Sequence, residues 1–202
     1  MITILDYGAG NLKSVSNILE FLGYEYVVTD KKEDVQKAER IILPGQGHFG
    51  QVMQALEKKG LAGCLKKQIQ DGMPFLGICI GIQILFEESE EAPGVNGLGI
   101  FPGKVIRFKQ GKIPQIGWNQ LKITPGNSVL ANDYVYFVNS YHVMPENKNI
   151  VSAYSEYYDN FVAGIEYRNI FAFQFHPEKS GTVGQTFLKR WLIKDFSQVQ
   201  ML

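Results

Sequence analysis

The sequence predicts an α/β fold with a mixed, largely parallel central sheet, flanking helices, and antiparallel strands in the second half. In residues 1–90, short apolar runs alternate with segments of helical periodicity, which is typical of a parallel sheet covered on both faces. After residue 100, short segments rich in β-branched and aromatic residues are separated by Gly, Asn and Pro, a pattern that favours antiparallel strands. The 202 residues, 45% of them hydrophobic, suit a single domain spanning 1–202.

In the first half, apolar runs bounded by Gly or Pro predict four strands, at 2–6, 24–29, 41–43 and 74–78. Helical spacing of Leu12, Val15, Ile18 and Leu19 predicts a helix that Gly23 closes. The same criterion predicts further helices around 52–61 and 65–69, and one over 80–88.

In the second half, strands are predicted at 105–108, 134–138, 150–154, 161–167 and 170–175. A final helix is predicted over 182–195, and residues 197–202 are expected to fray. Because no linker or repeat separates the halves, the sheet is expected to continue across both.

Composition excludes several classes of protein. Lys+Arg and Asp+Glu each number 20, so the net charge is zero and the basic footprint of a nucleic-acid binder is missing. Cys64 and Cys79 form no Cys-x-x-Cys pair, and the spacings of His48, His142 and His176 match no metal motif. We expect no metal and no cofactor. Without a signal-peptide pattern or a long apolar run, and with two thiols, we expect a cytoplasmic protein that contacts no membrane.

Residues 77–83 contain the most informative motif. Cys79 lies between two glycines where a predicted strand runs into a predicted helix, the thiol counterpart of a nucleophile elbow. The helix N-terminus there is expected to favour the thiolate, and the N–H of Ile80 is placed to bind an oxyanion. Gln83, one helical turn on, shares the face of Cys79. A buried structural cysteine is the alternative, and Cys64 on a helix without an elbow is expected to be inert core.

A base and its orienting group are predicted at a strand end. Pro177 biases His176 toward extended backbone, where side chains two residues apart share a side, so Glu178 is expected to reach the imidazole. His48 and His142 are the alternative bases.

Two glycine-rich segments follow strands. Gly45, Gln46 and Gly47 are expected to supply backbone N–H groups to an oxyanion, with a plain turn as the alternative. Gly8 and the two residues after it suggest a dinucleotide fingerprint, but Lys13 stands where its last glycine is needed, which excludes that site.

These motifs resemble the class I (triad) glutamine amidotransferases. Within that family the chain most resembles the glutaminase subunits of imidazole glycerol phosphate synthase, from histidine biosynthesis. The resemblance spans the whole chain and is carried by residues 6–12, 44–47, 77–83, 117–119, 136–141 and 175–180.

The resemblance implies a flavodoxin-like fold and a reaction. A Cys79 thioester would convert L-glutamine to glutamate and ammonia, with His176 as acid and base and Glu178 orienting it. Gln83 and the backbone around Ser140 and Tyr141 would hold the glutamine. Ammonia would pass to a (β/α)8-barrel cyclase in a heterodimer, and the cyclase would make imidazole glycerol phosphate and aminoimidazole carboxamide ribotide. The expected partner interface comprises Gly10, Asn11, Trp118, Asn119 and Lys179.

Three positions depart from the family pattern. Gln46 stands where these subunits usually have Val, and Gln115 and Asn139 stand where they usually have His. The departures leave open a related subunit that supplies ammonia to another synthase, for example in surface-sugar biosynthesis. Two further alternatives are a different cysteine hydrolase and a non-catalytic regulatory subunit.

Overall fold

The computed structural model describes residues 1–8 and 11–197, and an eight-stranded mixed sheet forms its centre. The first part alternates strands and helices: β1 (Ile2–Leu5), α1 (Leu12–Phe21), β2 (Tyr26–Thr29), α2 (Lys32–Gln36), β3 (Arg40–Leu43), α3 (Phe49–Lys58), α4 (Leu61–Gln70), β4 (Phe75–Ile78) and α5 (Ile80–Gln83). The second part is mostly strands: β5 (Glu88–Ser89), β6 (Gly103–Arg107), β7 (Gln115–Gln120), β8 (Lys122–Ile123), β9 (Tyr134–Asn139), β10 (Tyr141–Pro145), β11 (Val151–Tyr157), β12 (Asp159–Tyr167), β13 (Ile170–Phe173), then α6 (Gly181–Ile193). Two 3-10 turns cover Lys148–Ile150 and Pro177–Lys179.

The strand order of the large sheet is β2-β1-β3-β4-β13-β12-β11-β8. Strands β1 to β4 and β13 are parallel, whereas β12, β11 and β8 continue the sheet in antiparallel pairs. The predicted fold class and the continuity of the sheet across both halves are therefore confirmed. β13, near the end of the chain, pairs with β4, so residues 78–79 and 173–176 leave the sheet side by side.

Two apolar cores cover the two faces of the sheet. Within β3, Ile41 and Leu43 belong to one core and Ile42 to the other, because successive strand side chains point to opposite faces. All three are fully buried, and each such side chain contributes about 1.5–3 kcal/mol of burial free energy. Trp191 of α6 fills the second core.

Two small sheets flank the large one. Strands β10, β6 and β5 form the first, and β7 and β9 form a two-stranded antiparallel ribbon. The ribbon was not predicted as such, since β7 was not predicted at all. Only Gln115 of β7 is buried, and the inward positions are otherwise held by Gly117 and Asn119, so the strand has little apolar pattern. Strand β10 was also missed.

The helix predicted over 80–88 is wrong beyond Gln83. Backbone N–H groups of residues 97–101 bond the carbonyls of Ile84, Leu85, Phe86 and Glu87. These long-range hydrogen bonds replace the helical ones, which local periodicity does not reveal. In the part of the chain that the structure describes, no helix is long and apolar enough to span a membrane.

Candidate active site

Cys79 occupies a strained turn between β4 and α5. Its φ of 53° and ψ of −101° are unfavourable for a residue with a side chain, and its N–H is held by the Phe173 carbonyl at 2.7 Å. A Cβ at Gly77 would lie 2.5 Å from the Gly81 carbonyl oxygen, so a glycine is required for the close approach of strand and helix. The predicted elbow geometry is present.

The predicted helix-dipole effect on Cys79 needs correction. Helix α5 is a single turn of four residues, so it carries little of the macrodipole of a long helix. Local groups surround the sulphur instead. The Gln174 side-chain Nε2 lies 3.6 Å from the Cys79 Sγ, and the Val138 carbonyl lies 3.8 Å from it. One hydrogen-bond donor, the Gln174 amide, and one acceptor, the Val138 carbonyl, therefore lie at the sulphur.

His176 and Glu178 form a buried pair beside Cys79. The His176 Nδ1 lies 2.7 Å from the Glu178 Oε1, and both side chains are almost fully buried. Burial would lower the pKa of His176, but the charge of the Cys79 thiolate and hydrogen bonds to Cys79 and Glu178 outweigh it and raise that pKa well above its usual value. The arrangement favours a protonated His176 imidazolium beside Cys79.

The loop that carries His176 is bonded to the ribbon. The His176 N–H donates to the Tyr136 carbonyl at 2.9 Å. The Ser180 hydroxyl donates to the His176 carbonyl at 2.7 Å and accepts from the Tyr136 N–H at 3.0 Å. These hydrogen bonds tie the backbone of His176 to β9.

The two alternative bases lie elsewhere. His48 caps α3, with its Nδ1 accepting from the Gly50 N–H at 3.2 Å. The ring of His142 is tilted against that of Phe108, with 4.8 Å between the ring centroids, and burial lowers the pKa of this histidine. Neither lines the cavity at Cys79. Cys64 is a free thiol on the core-facing side of α4, where burial raises its pKa.

Gly45 is packed tightly against the elbow. A Cβ there would lie 1.8 Å from the Ile78 carbonyl oxygen and 2.7 Å from the Ile80 nitrogen. Tyr7, which sequence reasoning missed, fixes the same loop: its buried hydroxyl lies 2.9 Å from the Pro44 carbonyl oxygen and 3.0 Å from that of Gln46. Burial, the largest influence, raises the pKa of Tyr7, so the hydroxyl stays protonated as a donor.

A cavity of about 310 Å³ opens above the thiol. Eight of the predicted site residues line it: Gln46, Gly47, Cys79, Ile80, Gln83, Ser140, Tyr141 and His176. Two further predicted residues contact the lining without being part of it. Gly45 lies against Ile80, and Glu178 contacts His176. The volume suits a small metabolite.

Glu91 also lines the cavity and was missed. Its carboxylate accepts from the Phe49 N–H at 2.7 Å, which fixes the carboxylate on the cavity wall. It is the one acidic side chain among the described lining residues, and an ammonium group of a ligand would pair with it. The run of acidic residues around 87–91 is typical of a solvated surface, which hid Glu91 in the sequence.

Two of the three departures from the family pattern line the cavity, Gln46 and Asn139. Asn139 donates to the Tyr141 carbonyl at 3.0 Å and lies opposite Gln115 in the ribbon. Both are buried. Among the described residues, neither the Gln115 amide nor the Asn139 Oδ1 has a hydrogen-bond partner.

Of the residues expected at a partner interface, Trp118 is clearly exposed and others are half-buried. Trp118 is 52% exposed on the ribbon, with Ile116 and Tyr134 beside it at 62% and 56%. Asn119 and Lys179 are half-buried. Asn11 accepts from the Ser14 N–H at 3.3 Å as the cap of α1, and Gly10 lies outside the described residues.

A cysteine on a strand-to-helix turn, a buried His–Glu pair and a polar cavity define a triad-type cysteine enzyme that acts on a carbonyl carbon. The model of the family "Glutamine amidotransferase class-I" matches residues 3–195. The chain belongs to the class I glutamine amidotransferase family, within its group of imidazole glycerol phosphate synthase subunits named HisH.

Relatives from distant organisms support this placement. The chain is 44% identical over 202 residues to imidazole glycerol phosphate synthase subunit HisH of Geobacillus thermodenitrificans, covering 95% of each chain. It is 45% identical over 196 residues to that of Methanothermobacter thermautotrophicus, covering 95% of this chain and 98% of the relative. Imidazole glycerol phosphate synthase hisHF of Arabidopsis thaliana is 44% identical over 200 residues, which are 95% of this chain and 34% of the relative.

Solved structures agree on the fold. A crystal structure of a glutamine amidotransferase matches with a TM-score of 0.76 at 21% identity, and PurLQS from Thermotoga maritima with 0.73 at 22%. Each match covers 95% of this chain and 96% of the other chain.

Proposed function

We propose that this chain is the glutaminase subunit of imidazole glycerol phosphate synthase, hydrolysing L-glutamine to glutamate and ammonia for histidine biosynthesis. The observation that carries the proposal is the strained Cys79 beside the buried His176–Glu178 pair, within a chain 44% identical to HisH relatives over nearly its full length.

The reaction follows from the proton positions. The Cys79 thiolate attacks the side-chain carbonyl carbon of glutamine, and the His176 imidazolium protonates the departing nitrogen, leaving a thioester and ammonia. The neutral imidazole then takes a proton from water, whose oxygen attacks the thioester. The carbon–sulphur bond then breaks, the sulphur leaves as thiolate, and the new γ-carboxyl group loses its proton to solvent as glutamate departs. His176 keeps the proton taken from water, so the imidazolium–thiolate pair is regenerated. Glu178 keeps Nδ1 protonated, so that Nε2 performs both transfers.

Charge that develops on the carbonyl oxygen needs donors. As the first residue of α5, Ile80 has an N–H without an intrahelical acceptor. The loop of Gly45, Gln46 and Gly47 lies against Ile80 and would supply the second donor. One such donor is typically worth about 3 kcal/mol of transition-state stabilisation.

The rest of the cavity would bind the amino acid part of glutamine. Glu91 supplies the anion for its ammonium group, and Gln83 and the backbone of Ser140 and Tyr141 supply polar contacts. These substrate roles rest on the shared cavity and the chemistry of its lining.

We further propose that ammonia passes to a (β/α)8-barrel cyclase subunit bound in a heterodimer, which acts in the cytoplasm. The free thiols support that location. The exposed ribbon residues Ile116, Trp118 and Tyr134 support the docking face, since aromatic side chains are enriched at interfaces. Asn119, Lys179, Asn11 and Gly10 would complete it.

A related subunit that serves another synthase remains the second candidate. Gln46 and Asn139 stand in the cavity lining, and Gln115 faces Asn139. The Val and His of the family pattern differ from these amides in size and hydrogen bonding, so a docked partner would act on the cavity differently. This difference favours a subunit that serves another synthase as the second candidate.

Glutamate release by the full chain tests the proposal in three states: alone, with the histidine-pathway cyclase of the same organism, and with that cyclase plus its nucleotide substrate. We expect strong stimulation in the third state. A diazo-ketone analogue of glutamine should label Cys79 and not Cys64, with glutamine protecting. Labelling without stimulation assigns the chain to another synthase, and absence of Cys79 labelling with a partner present refutes the proposal.

A further inference from the structure

A chain of side-chain amides connects the glutamine cavity to the nucleophile. The Gln83 Nε2 lies 3.2 Å from the Tyr141 carbonyl oxygen and 3.1 Å from the Gln174 Oε1. The Gln174 Nε2 then lies 3.6 Å from the Cys79 sulphur. Gln174 is fully buried and Gln83 is almost fully buried. The backbone N–H of Gln174 donates to the Ala163 carbonyl at 2.9 Å, which fixes the position of this residue.

The direction of this chain follows from its first member. A backbone carbonyl only accepts hydrogen bonds, so Gln83 has to present its NH2 group to Tyr141. The second proton of that NH2 group then faces the Gln174 side chain, which has to present its oxygen. The remaining atom of Gln174, which points at the sulphur, is therefore its nitrogen. The Tyr141 carbonyl therefore decides which end of each side-chain amide, that of Gln83 and that of Gln174, is oxygen and which is nitrogen.

A donor aimed at the sulphur discriminates between its two protonation states. An N–H bonds a thiolate much more strongly than a neutral thiol, because the hydrogen bond to the anion is charge-assisted. α5 is too short to supply a strong dipole at this point. The Gln174 amide is buried and already oriented by its hydrogen bond to Gln83, so it does not have to reorient when the thiolate forms.

We propose that Gln174 is a catalytic residue that stabilises the Cys79 thiolate by donating from its Nε2, with Gln83 and the Tyr141 carbonyl fixing its orientation. The proposal rests on the proposed function for the identity of the substrate, but the interaction itself does not require glutamine. Besides binding substrate, Gln83 acts on the nucleophile through Gln174. When the thioester forms, the negative charge leaves the sulphur and this hydrogen bond weakens, and it is restored as the thiolate departs from glutamate.

The test measures alkylation of Cys79 by iodoacetamide against pH in the full chain, with mass spectrometry separating Cys79 from Cys64. The titratable groups that act on Cys79 are His176 and Tyr7, with Glu178 behind His176 and Glu91 across the cavity. None of them is altered. Gln174→Met keeps the side-chain size and removes the donor, and Gln174→Asn shortens the amide so that it no longer reaches the sulphur.

Asn169→Ala is the matched control, because Asn169 is a fully buried amide at the opposite end of β13. It donates to the Ile69 carbonyl at 2.8 Å and to the Met73 carbonyl at 2.7 Å. Its loss should lower the melting temperature without moving the alkylation midpoint.

We expect the midpoint of the alkylation curve to rise by about one pH unit in both Gln174 variants, with about tenfold slower alkylation at pH values well below the wild-type midpoint. A wild-type midpoint in either folded variant overturns the proposal and leaves Gln174 a packing role. If Gln174→Met does not fold, Gln174→Asn decides by the same criterion. Absence of glutamine hydrolysis in the wild-type complex, with the midpoint still shifted, would refute the proposed function and not this role of Gln174.

Discussion

Substitution of Gly45 by alanine tests the geometry of the oxyanion loop. The added methyl carbon would lie 1.8 Å from the Ile78 carbonyl oxygen, whereas real contacts of this kind do not fall under 3.0 Å. Opening the contact from 1.8 to 3.0 Å requires the loop or the elbow to move by at least 1.2 Å. The obstacle is backbone on both sides, so no side-chain rotation relieves it. Gly45 is not among the residues with positive φ, so the effect comes from contact and not from backbone strain.

The expected result is a fall in kcat of about 100-fold, because a displacement of about 1 Å in a catalytic group costs about that factor. This corresponds to about 2.7 kcal/mol of activation free energy. Steady-state glutamate release with the loaded partner measures kcat, and thermal unfolding measures stability. The steric conflict should also destabilise the fold by about 1–3 kcal/mol.

Gly63→Ala is the matched control. Gly63 lies within α4, and a Cβ there meets no atom within 4 Å. Alanine should stabilise the helix by about 1 kcal/mol and leave kcat unchanged. If Gly45→Ala retains kcat within a factor of two at an unchanged melting temperature, the assignment of this loop to the oxyanion site is wrong.

Four further predictions concern the triad, the substrate and the partner. Glu178→Gln should reduce kcat less than His176→Ala, since it alters the orientation of the base and not the base itself; the reverse order contradicts these roles. Because Glu178 helps raise the pKa of His176, its replacement should lower that pKa and move the alkaline limb of the pH–rate profile to lower pH. Glu91→Gln should raise the KM for glutamine by about tenfold or more through loss of an ion pair, and an unchanged KM would exclude Glu91 from the substrate site. Trp118→Ala should weaken partner binding by about 2 kcal/mol in a calorimetric titration while diazo-ketone labelling of Cys79 persists; wild-type affinity would move the interface away from the ribbon.

Local sequence sufficed for much of this protein. The glycines around Cys79 predicted the elbow because only glycine permits the contact of Gly77 with the Gly81 carbonyl. Extended backbone before Pro177 predicted that Glu178 reaches His176, and the 2.7 Å contact is present. The chain does not stay extended, however, since Pro177–Lys179 form a 3-10 turn that brings the carboxylate to the ring. The alternation of strands and helices predicted the sheet. The spacing of apolar residues differs between a helix and a strand because of local backbone geometry, so it can be read from the sequence.

Tertiary structure decided the remainder, because it depends on atoms distant in sequence. The helix predicted beyond Gln83 was lost to hydrogen bonds from residues 97–101. Tyr7 reaches a loop 37 residues away, and Glu91 enters the cavity from a segment that looks like solvated surface. The Gln174 amide is directed at the sulphur only because the Tyr141 carbonyl lies at the far end of the same chain of hydrogen bonds. Sequence periodicity predicted the apolar faces of many strands and helices, but the direction of each buried polar group was set by partners that only folding brings together.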